Sequence, residues 1–189
     1  MSGSVFGGKV KAKKNIEIER LKNAISQTLY EMILKNRTRI DWREKFETLI
    51  EEYNSDKVDM SSFFDQLVQF SQSLNEEEKR ALEEGLGEEE LAVYDLLTKP
   101  AILLKKDEKQ KVKEVVQRLL KRLKQNDLVI DWRYNEQNRA RVRVAITEEL
   151  EKLPREAFTL DIFRQKCIAI YNHIYDSYFG SGKSVYALN

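Results

Sequence analysis

Ile40-Asp41-Trp42-Arg43 and Ile130-Asp131-Trp132-Arg133 are two copies of one tetrapeptide, and they contain the only two tryptophans of the chain. In each copy an amphipathic helical pattern runs into a short polar break, Lys35-Asn36-Arg37-Thr38 or Lys124-Gln125-Asn126-Asp127, and a second helical pattern starts at the Asp-Trp pair. An aspartate suits a helix start, because its carboxylate can accept from free N–H groups of the first turn. The tryptophan one residue later then faces whatever the first helix packs on. Outward from both corners the chain reads as a repeated unit of helix, corner, helix, turn and helix. Ancient duplication and convergence on one corner chemistry both account for the likeness, which is weak away from the tetrapeptide.

Before the first corner, Ile18, Leu21, Ile25, Leu29, Met32 and Ile33 fall on one 3.6-period stripe, predicting a helix over 15–34. After it, Trp42, Phe46, Leu49, Ile50 and Tyr53 share a face until Asn54-Ser55-Asp56 breaks the pattern. A third helix is expected from about Asp59, carrying Phe63, Phe64, Leu67, Val68 and Leu74. Asn75 with Glu78 reads as a capping box that opens a short acidic helix ending at Gly85. Another short helix is expected over 88–98, stopped by Pro100. Asp107 with Gln110 marks the start of the most regular helix, whose buried stripe is Val112, Val115, Val116, Leu119, Leu120 and Leu123. Beyond the second corner one helix runs to about Leu153 and a last one covers 159–178. The stripe of the last is Leu160, Phe163, Cys167, Ile170, Tyr171, Ile174 and Tyr178. The tail from Gly180 is expected to be loosely held.

The class is therefore all-α: a multi-helix bundle of two helical subdomains with this pseudo-repeat. Composition agrees, since 34% of the 189 residues are charged while only seven are glycine and two proline, a balance suited to long solvated helices. The expected organisation is a flexible leader or cloning remnant over 1–14, a first helical half over 15–100 and a second over 101–189, forming one functional domain. Between Glu76 and Glu90 eight residues are acidic and two basic, whereas Lys105 to Lys124 holds nine basic and three acidic, so charge separates the halves even though the whole chain is only +1. Any electrostatic function must be local.

Several sequences imitate chemistry. Gly180-Ser181-Gly182-Lys183-Ser184 ends like a phosphate-binding loop, but Ser177 stands where that loop needs its first glycine, and the segment follows a helix instead of a strand. Cys167 and His173 lie about 600° apart on a helix and cannot pair as nucleophile and base. They read as a core cysteine and a partly exposed histidine. With one cysteine and one histidine, no disulfide and no zinc site of such ligands forms within one chain. The acidic runs look like solvated helix starts, and no carboxylate pair is singled out. No catalytic, cofactor-binding or metal-ligating residue is expected.

Basic residues off the apolar stripes are the better candidates. Lys113, Lys121 and Lys124, and after the second corner Arg139, Arg141 and Arg143, are candidate contacts to DNA phosphates. On a helix Arg139 and Arg143 share a face while Arg141 points elsewhere, so they do not form one comb. The alternative is that these cations are solvated or pair with the acidic segment around Glu83 to Glu90.

Leu91-Ala92-Val93-Tyr94-Asp95-Leu96-Leu97-Thr98-Lys99-Pro100 is followed by Asp131-Trp132-Arg133, Gln137, Arg139-Ala140, Val142-Arg143 and Ile146. The series ends with Lys166-Cys167 and His173-Ile174-Tyr175-Asp176-Ser177-Tyr178. In combination these resemble the C-terminal helical region of the restriction (motor) subunit of type I restriction-modification enzymes. Arg37-Thr38-Arg39-Ile40-Asp41 and Glu51-Glu52-Tyr53-Asn54 extend the resemblance into the first half. It implies an assembly role: joining the motor subunit to a methyltransferase core of modification and specificity subunits, and lying along double-stranded DNA fed to the motor. The parent subunit would be an ATP-dependent endonuclease and translocase, with ATP and Mg used only in its other domains. The implied location is a bacterial or archaeal cytoplasm, consistent with the lack of any apolar run of membrane-spanning length. For docking, Tyr175 and Tyr186 are the candidate interface residues, while Tyr171 and Tyr178 read as core. A helical DNA-binding module and an unrelated helical scaffold are the competing readings.

Overall fold

The computed structural model describes residues 3–100 and 102–187. Seven α-helices carry the fold: α1 (Gly3–Lys35), α2 (Ile40–Asn54), α3 (Met60–Glu83), α4 (Glu88–Thr98), α5 (Lys106–Arg122), α6 (Glu136–Leu150) and α7 (Leu160–Ser177). A 3-10 turn (Arg37–Arg39) joins α1 to α2, a π-helical turn (Leu123–Asp127) extends α5, and a small antiparallel hairpin, β1 (Tyr178–Gly180) and β2 (Lys183–Ser184), follows α7. The all-α class holds. Two compact units divide between Arg80 and Ala81, not near residue 100 as charge suggested. The reason is packing: Ala81 and Leu86 join Leu91, Val93 and Leu97 of α4 in the core built on α5, α6 and α7.

In unit 1, Ile18, Ile25, Leu29 and Met32 of α1 meet Phe46 of α2 and Phe63, Leu67 and Leu74 of α3. Aromatic rings lock the contact, with Tyr53 stacked on Phe63 at 4.1 Å and Phe46 on Phe70 at 5.5 Å between centroids. Helix α1 starts at Gly3, inside the segment the sequence assigned to a leader, and Lys14 Nζ donates to Ser61 Oγ on α3 at 2.9 Å. Helix α3 runs unbroken through Asn75, so the expected separate acidic helix does not form. One asparagine costs a helix interior only a few tenths of a kcal/mol, roughly, and the glutamates, lysine and arginine that follow it are good helix formers, so the helix runs on to Glu83.

Asp59 starts α3. Its Oδ1 accepts from the N–H groups of Ser61 and Ser62 at 2.8 and 3.1 Å, and its Oδ2 from the Ser62 hydroxyl at 2.7 Å. The Ser62 hydroxyl, then the backbone amides, hold this carboxyl below its ordinary value of 3.8. A group depressed on folding stabilises the fold above its unfolded pKa and loses that contribution as pH falls through the folded value. Asp59→Asn is therefore expected to flatten the acid limb of unit 1 stability below about pH 4, read by thermal unfolding at stepped pH. An unchanged acid slope would show that the cap is not coupled to folding.

The two corners are not copies. At the first, Asn36, not Asp41, caps: fully buried, its Oδ1 accepts from Thr38 N–H at 3.1 Å and from the Thr38 hydroxyl at 2.8 Å. Asp41 stays exposed beside Lys45 at 3.4 Å, and Trp42 is half-buried against Phe70. At the second, the π turn buries Leu123 and Asp127, and Asp131 sits in a left-handed turn at φ 57°, where it starts no helix. Helix α6 begins further on, capped by Asn135 through Asn138 N–H at 3.1 Å. Trp132 is wholly buried. The same four residues give different corners because one follows a tight 3-10 turn and the other a widened π turn.

In unit 2, α5 presents the expected stripe, with Val112, Val115, Val116, Leu119, Leu120 and Leu123 all buried against Trp132, Val142, Ile146, Leu150, Ile170 and Ile174. Helices α4 and α5 open alike: the Gly87 N–H donates to Glu90 Oε2 at 2.9 Å, and the Lys105 N–H to Glu108 Oε2 at 2.7 Å. Glu108, not Asp107 with Gln110, supplies the second of these caps. Leu160, expected in the core of α7, is exposed, and His173, expected at the surface, is buried. The last helix is rotated toward its Ile170, His173 and Ile174 face.

As far as Ala187 the tail is ordered rather than loose. Val185 is buried and its N–H donates to Ser177 O at 3.0 Å, while the Ser181 N–H donates to Leu128 O at 3.1 Å. The look-alike of a phosphate loop is the hairpin turn itself, with Ser181 and Gly182 at φ 51° and 77°. A Cβ at Gly180 would lie 2.6 Å from Val129 O, so close backbone approach demands the glycine.

Candidate functional site

Two of the six candidate cations on α5 and α6 are paired with the acidic segment. Lys113 Nζ lies 2.6 Å from Glu84 Oε2 and donates to Glu84 O at 2.7 Å, with the Tyr94 ring 5.8 Å away. Lys124 Nζ reaches Glu89 Oε2 at 2.6 Å, and Glu89 Oε1 in turn accepts from the Tyr178 hydroxyl at 2.6 Å. Burial first, then the neighbouring Glu89 carboxylate, pushes the Tyr178 phenol up, so it stays a neutral donor. Lys121 is exposed and has no ion pair among the described residues.

The α6 arginines diverge. Arg139 Nη1 donates to Arg133 O at 2.6 Å, bracing the second corner. Arg141 turns the other way, to Asn126 O at 3.3 Å and Asp127 Oδ1 at 3.5 Å. Arg143 lies over the Tyr171 ring at 4.4 Å, exposed to solvent. The six residues do not converge on one surface patch.

The sequence reading missed an ionic network below the π turn. Arg122 Nη2 meets Glu148 Oε2 at 2.6 Å, its Nη1 lies 3.6 Å from Glu149 Oε1, and its Nε 4.0 Å from Asp127 Oδ2. Arg118 and Lys152 also reach Glu149, at 3.6 and 2.8 Å. The Glu148 hydrogen bond leads the effects that raise the Arg122 guanidinium pKa. No local motif marks this network, because its members become neighbours only when α5 packs on α6.

Around the second corner, Trp132 Nε1 and Arg133 Nε both donate to Tyr178 O, at 3.2 and 2.9 Å. Arg133 is held between two rings, 5.2 Å from Tyr175 and 4.6 Å from Phe179. Tyr175 is exposed at its rim and meets Trp132 edge-on at 5.8 Å. Tyr186, the other candidate interface residue, is half-buried, with its hydroxyl 3.0 Å from His173 Nε2, and its ring serves the packing of the tail. Lys166 is a further surprise: its buried ammonium donates to Leu96 O and Lys99 O at 2.7 and 2.6 Å, closing the end of α4, and burial lowers its pKa.

Among the described residues no group of three or more His, Cys, Asp or Glu could hold a metal ion, and no helix is long and apolar enough to cross a membrane. A cleft of about 360 Å³ lies between α6 and α7, and one of about 450 Å³ beside the π turn. Neither gathers a nucleophile with a base.

The family described as type I restriction enzyme HindI endonuclease subunit-like, C-terminal, matches residues 8–168. Among curated proteins, the type I restriction enzyme HindI endonuclease subunit of Haemophilus influenzae is 28% identical over 147 residues, covering 74% of this chain and 13% of that protein. The chain thus spans a small part of its relative's length. No solved structure matches. The family match runs from α1 through both corners into α7, well over half of the sequence, and the chain belongs to this family of C-terminal regions of type I restriction endonuclease subunits.

Proposed function

We propose that this chain is the C-terminal assembly domain of a type I restriction subunit, docking an ATP-dependent DNA translocase and endonuclease onto a methyltransferase core of modification and specificity subunits. In this reading the chain performs no catalysis. ATP and Mg act in other parts of the parent subunit, and the complex works in a bacterial or archaeal cytoplasm. One contrast supports docking over phosphate binding. Lys113, Lys124 and Arg141 are ion-paired within the fold and Arg139 is spent on a backbone carbonyl, whereas Ile130, Tyr134, Ile168, Tyr175 and Phe179 stand exposed. Exposed aromatic and aliphatic groups gain by being covered, whereas a paired cation must give up its partner before it can meet a phosphate.

The second reading, a helical DNA-binding module acting through phosphates, draws on Lys121 and Arg143, which are exposed and, among the described residues, have no ion pair. Titrating the chain into its cognate methyltransferase core, with and without a short duplex, at low and moderate salt, separates the two. Docking predicts binding to the core without DNA that survives moderate salt. Binding to the duplex alone, steeply weakened by salt and by Arg143→Ala, would overturn docking in favour of phosphate contact.

A further inference from the structure

Helix α7 has a second face that the core covers only in part. Leu160, Arg164, Ile168, Tyr171 and Tyr175 recur at helical spacing on a face flanking the buried Ile170, His173 and Ile174, with Tyr171 partly packed on the core at its edge, and Phe179 continues their line into β1. Leu160 and Ile168 are each 62% exposed, Phe179 44% and Tyr175 37%, unusual values for a set of neighbouring apolar side chains. Beside them the cleft of about 360 Å³ is lined by Ile146, Cys167, Ile168 and Tyr171, with Arg143 and Asn172 at its rim. That volume accepts one large apolar side chain.

Two arginines are laid across the aromatic part of this stripe. Arg143 covers Tyr171 at 4.4 Å, Tyr171 lies 6.2 Å from Tyr175, and Arg133 bridges Tyr175 and Phe179. Stacking fixes each guanidinium in a plane, so little rotamer entropy is left to lose when a carboxylate arrives. Among the described residues no ion pair joins Arg133, Arg143 or Arg164 to a carboxylate. Among the described residues the acidic groups on this side are Asp161, at the start of the helix, and Glu151, close to Cys167 and Leu160.

We propose that this face seats an amphipathic helix of a partner protein, with apolar anchors in the cleft and along the stripe and with carboxylates paired to Arg143 and Arg133. The inference rests on the docking reading and names the surface and the partner chemistry. A helix fits because a furrow between two packed helices receives the ridge of a third, and residues 160 to 175 offer about 22 Å, roughly four turns. Nucleic acid fits less well: the guanidinium groups already occupy ring faces on which bases would stack, and Leu160 and Ile168 offer bases neither stacking nor charge.

The experiment uses the intact chain and the cognate methyltransferase core, with Ile168→Asp and Arg143→Glu as face variants and Leu103→Asp, at a site 94% exposed elsewhere in the unit, as the control. Circular dichroism checks that each is folded. Each face variant is expected to weaken core binding about tenfold or more, with the control unchanged, a free-energy loss within the range of single interface residues. Wild-type affinity in both face variants would overturn this inference while docking stands. If the wild-type chain ignores the core, docking fails, and the face is judged on a designed helical peptide with leucine at i, i+3, i+4 and i+7 and glutamate flanks. Binding that shifts α7 amide resonances and is lost in Ile168→Asp and with lysine flanks supports the seat; no such binding overturns it. A dimer dissolved by Ile168→Asp would make a second copy the occupant, which also overturns it.

Discussion

Trp132→Ala is expected to destabilise unit 2 by about 3–5 kcal/mol, the range for truncating a large buried ring that leaves a cavity. The side chain is wholly buried among Leu128, Tyr175 and the α5 and α6 apolar residues, so the void cannot fill with water at low cost. Its Nε1 also donates to Tyr178 O, the carbonyl where α7 hands over to the hairpin. Trp132→Phe should cost less, about 1–2 kcal/mol, because most of the packing survives and Arg133 Nε still serves that carbonyl. Trp42→Ala, at the other corner, should also fall at about 1–2 kcal/mol, since that ring is only half-buried. Urea unfolding by circular dichroism gives the totals. Hydrogen exchange localises them, with amide protection in α5, α6 and α7 falling while α1 to α3 hold. Equal losses at the two tryptophans would show that the corners are structurally equivalent after all.

That asymmetry marks where the sequence was legible and where it was not. Helical periodicity located α2, α4 and α5 closely, because a buried stripe repeats in every turn and many residues vote for it. Corners depend on few residues, and there the identical tetrapeptides misled: the cap at the first is Asn36, and at the second the π turn moves the start of α6 to Glu136. The Asn75 cap failed because a single capping signal does not stop a helix whose next residues, Glu76 to Arg80, are themselves good helix formers. His173 and the tail were misread together. The hairpin that buries His173 under Tyr186 depends on Gly180 approaching Val129, a contact across half the unit with no local trace. Of the proposed phosphate contacts, Lys113 and Lys124 lie where the acidic alternative placed them, paired with Glu84 and Glu89. The aromatic residues over which Arg133 and Arg143 lie were visible only as scattered tyrosines and one phenylalanine.

Glu77→Ala is the second change expected to have a large effect, at about 3–5 kcal/mol on unit 1, the range for removing one partner of a buried ion pair. Arg39 has a side chain only 1% exposed, and its Nε donates to Glu77 Oε1 at 2.9 Å. Arg80 approaches the same carboxylate at 2.9 Å but is 24% exposed. Removing Glu77 takes away the carboxylate that sits between two cations, the desolvated Arg39 and the more exposed Arg80. Truncating Arg80 should cost no more than about 1 kcal/mol, because solvent can take its place. Replacing both members of the buried pair with apolar residues of similar volume, Arg39→Met with Glu77→Leu, should recover most of the loss, since neither charge then has to be desolvated. The double mutant should therefore fall about 2 kcal/mol or more short of the summed single changes, a coupling measurable by urea unfolding. If Glu77→Ala cost no more than Arg80→Ala, Arg39 would not depend on that carboxylate, and the polar break at the first corner would be stabilised by Asn36 and backbone contacts instead.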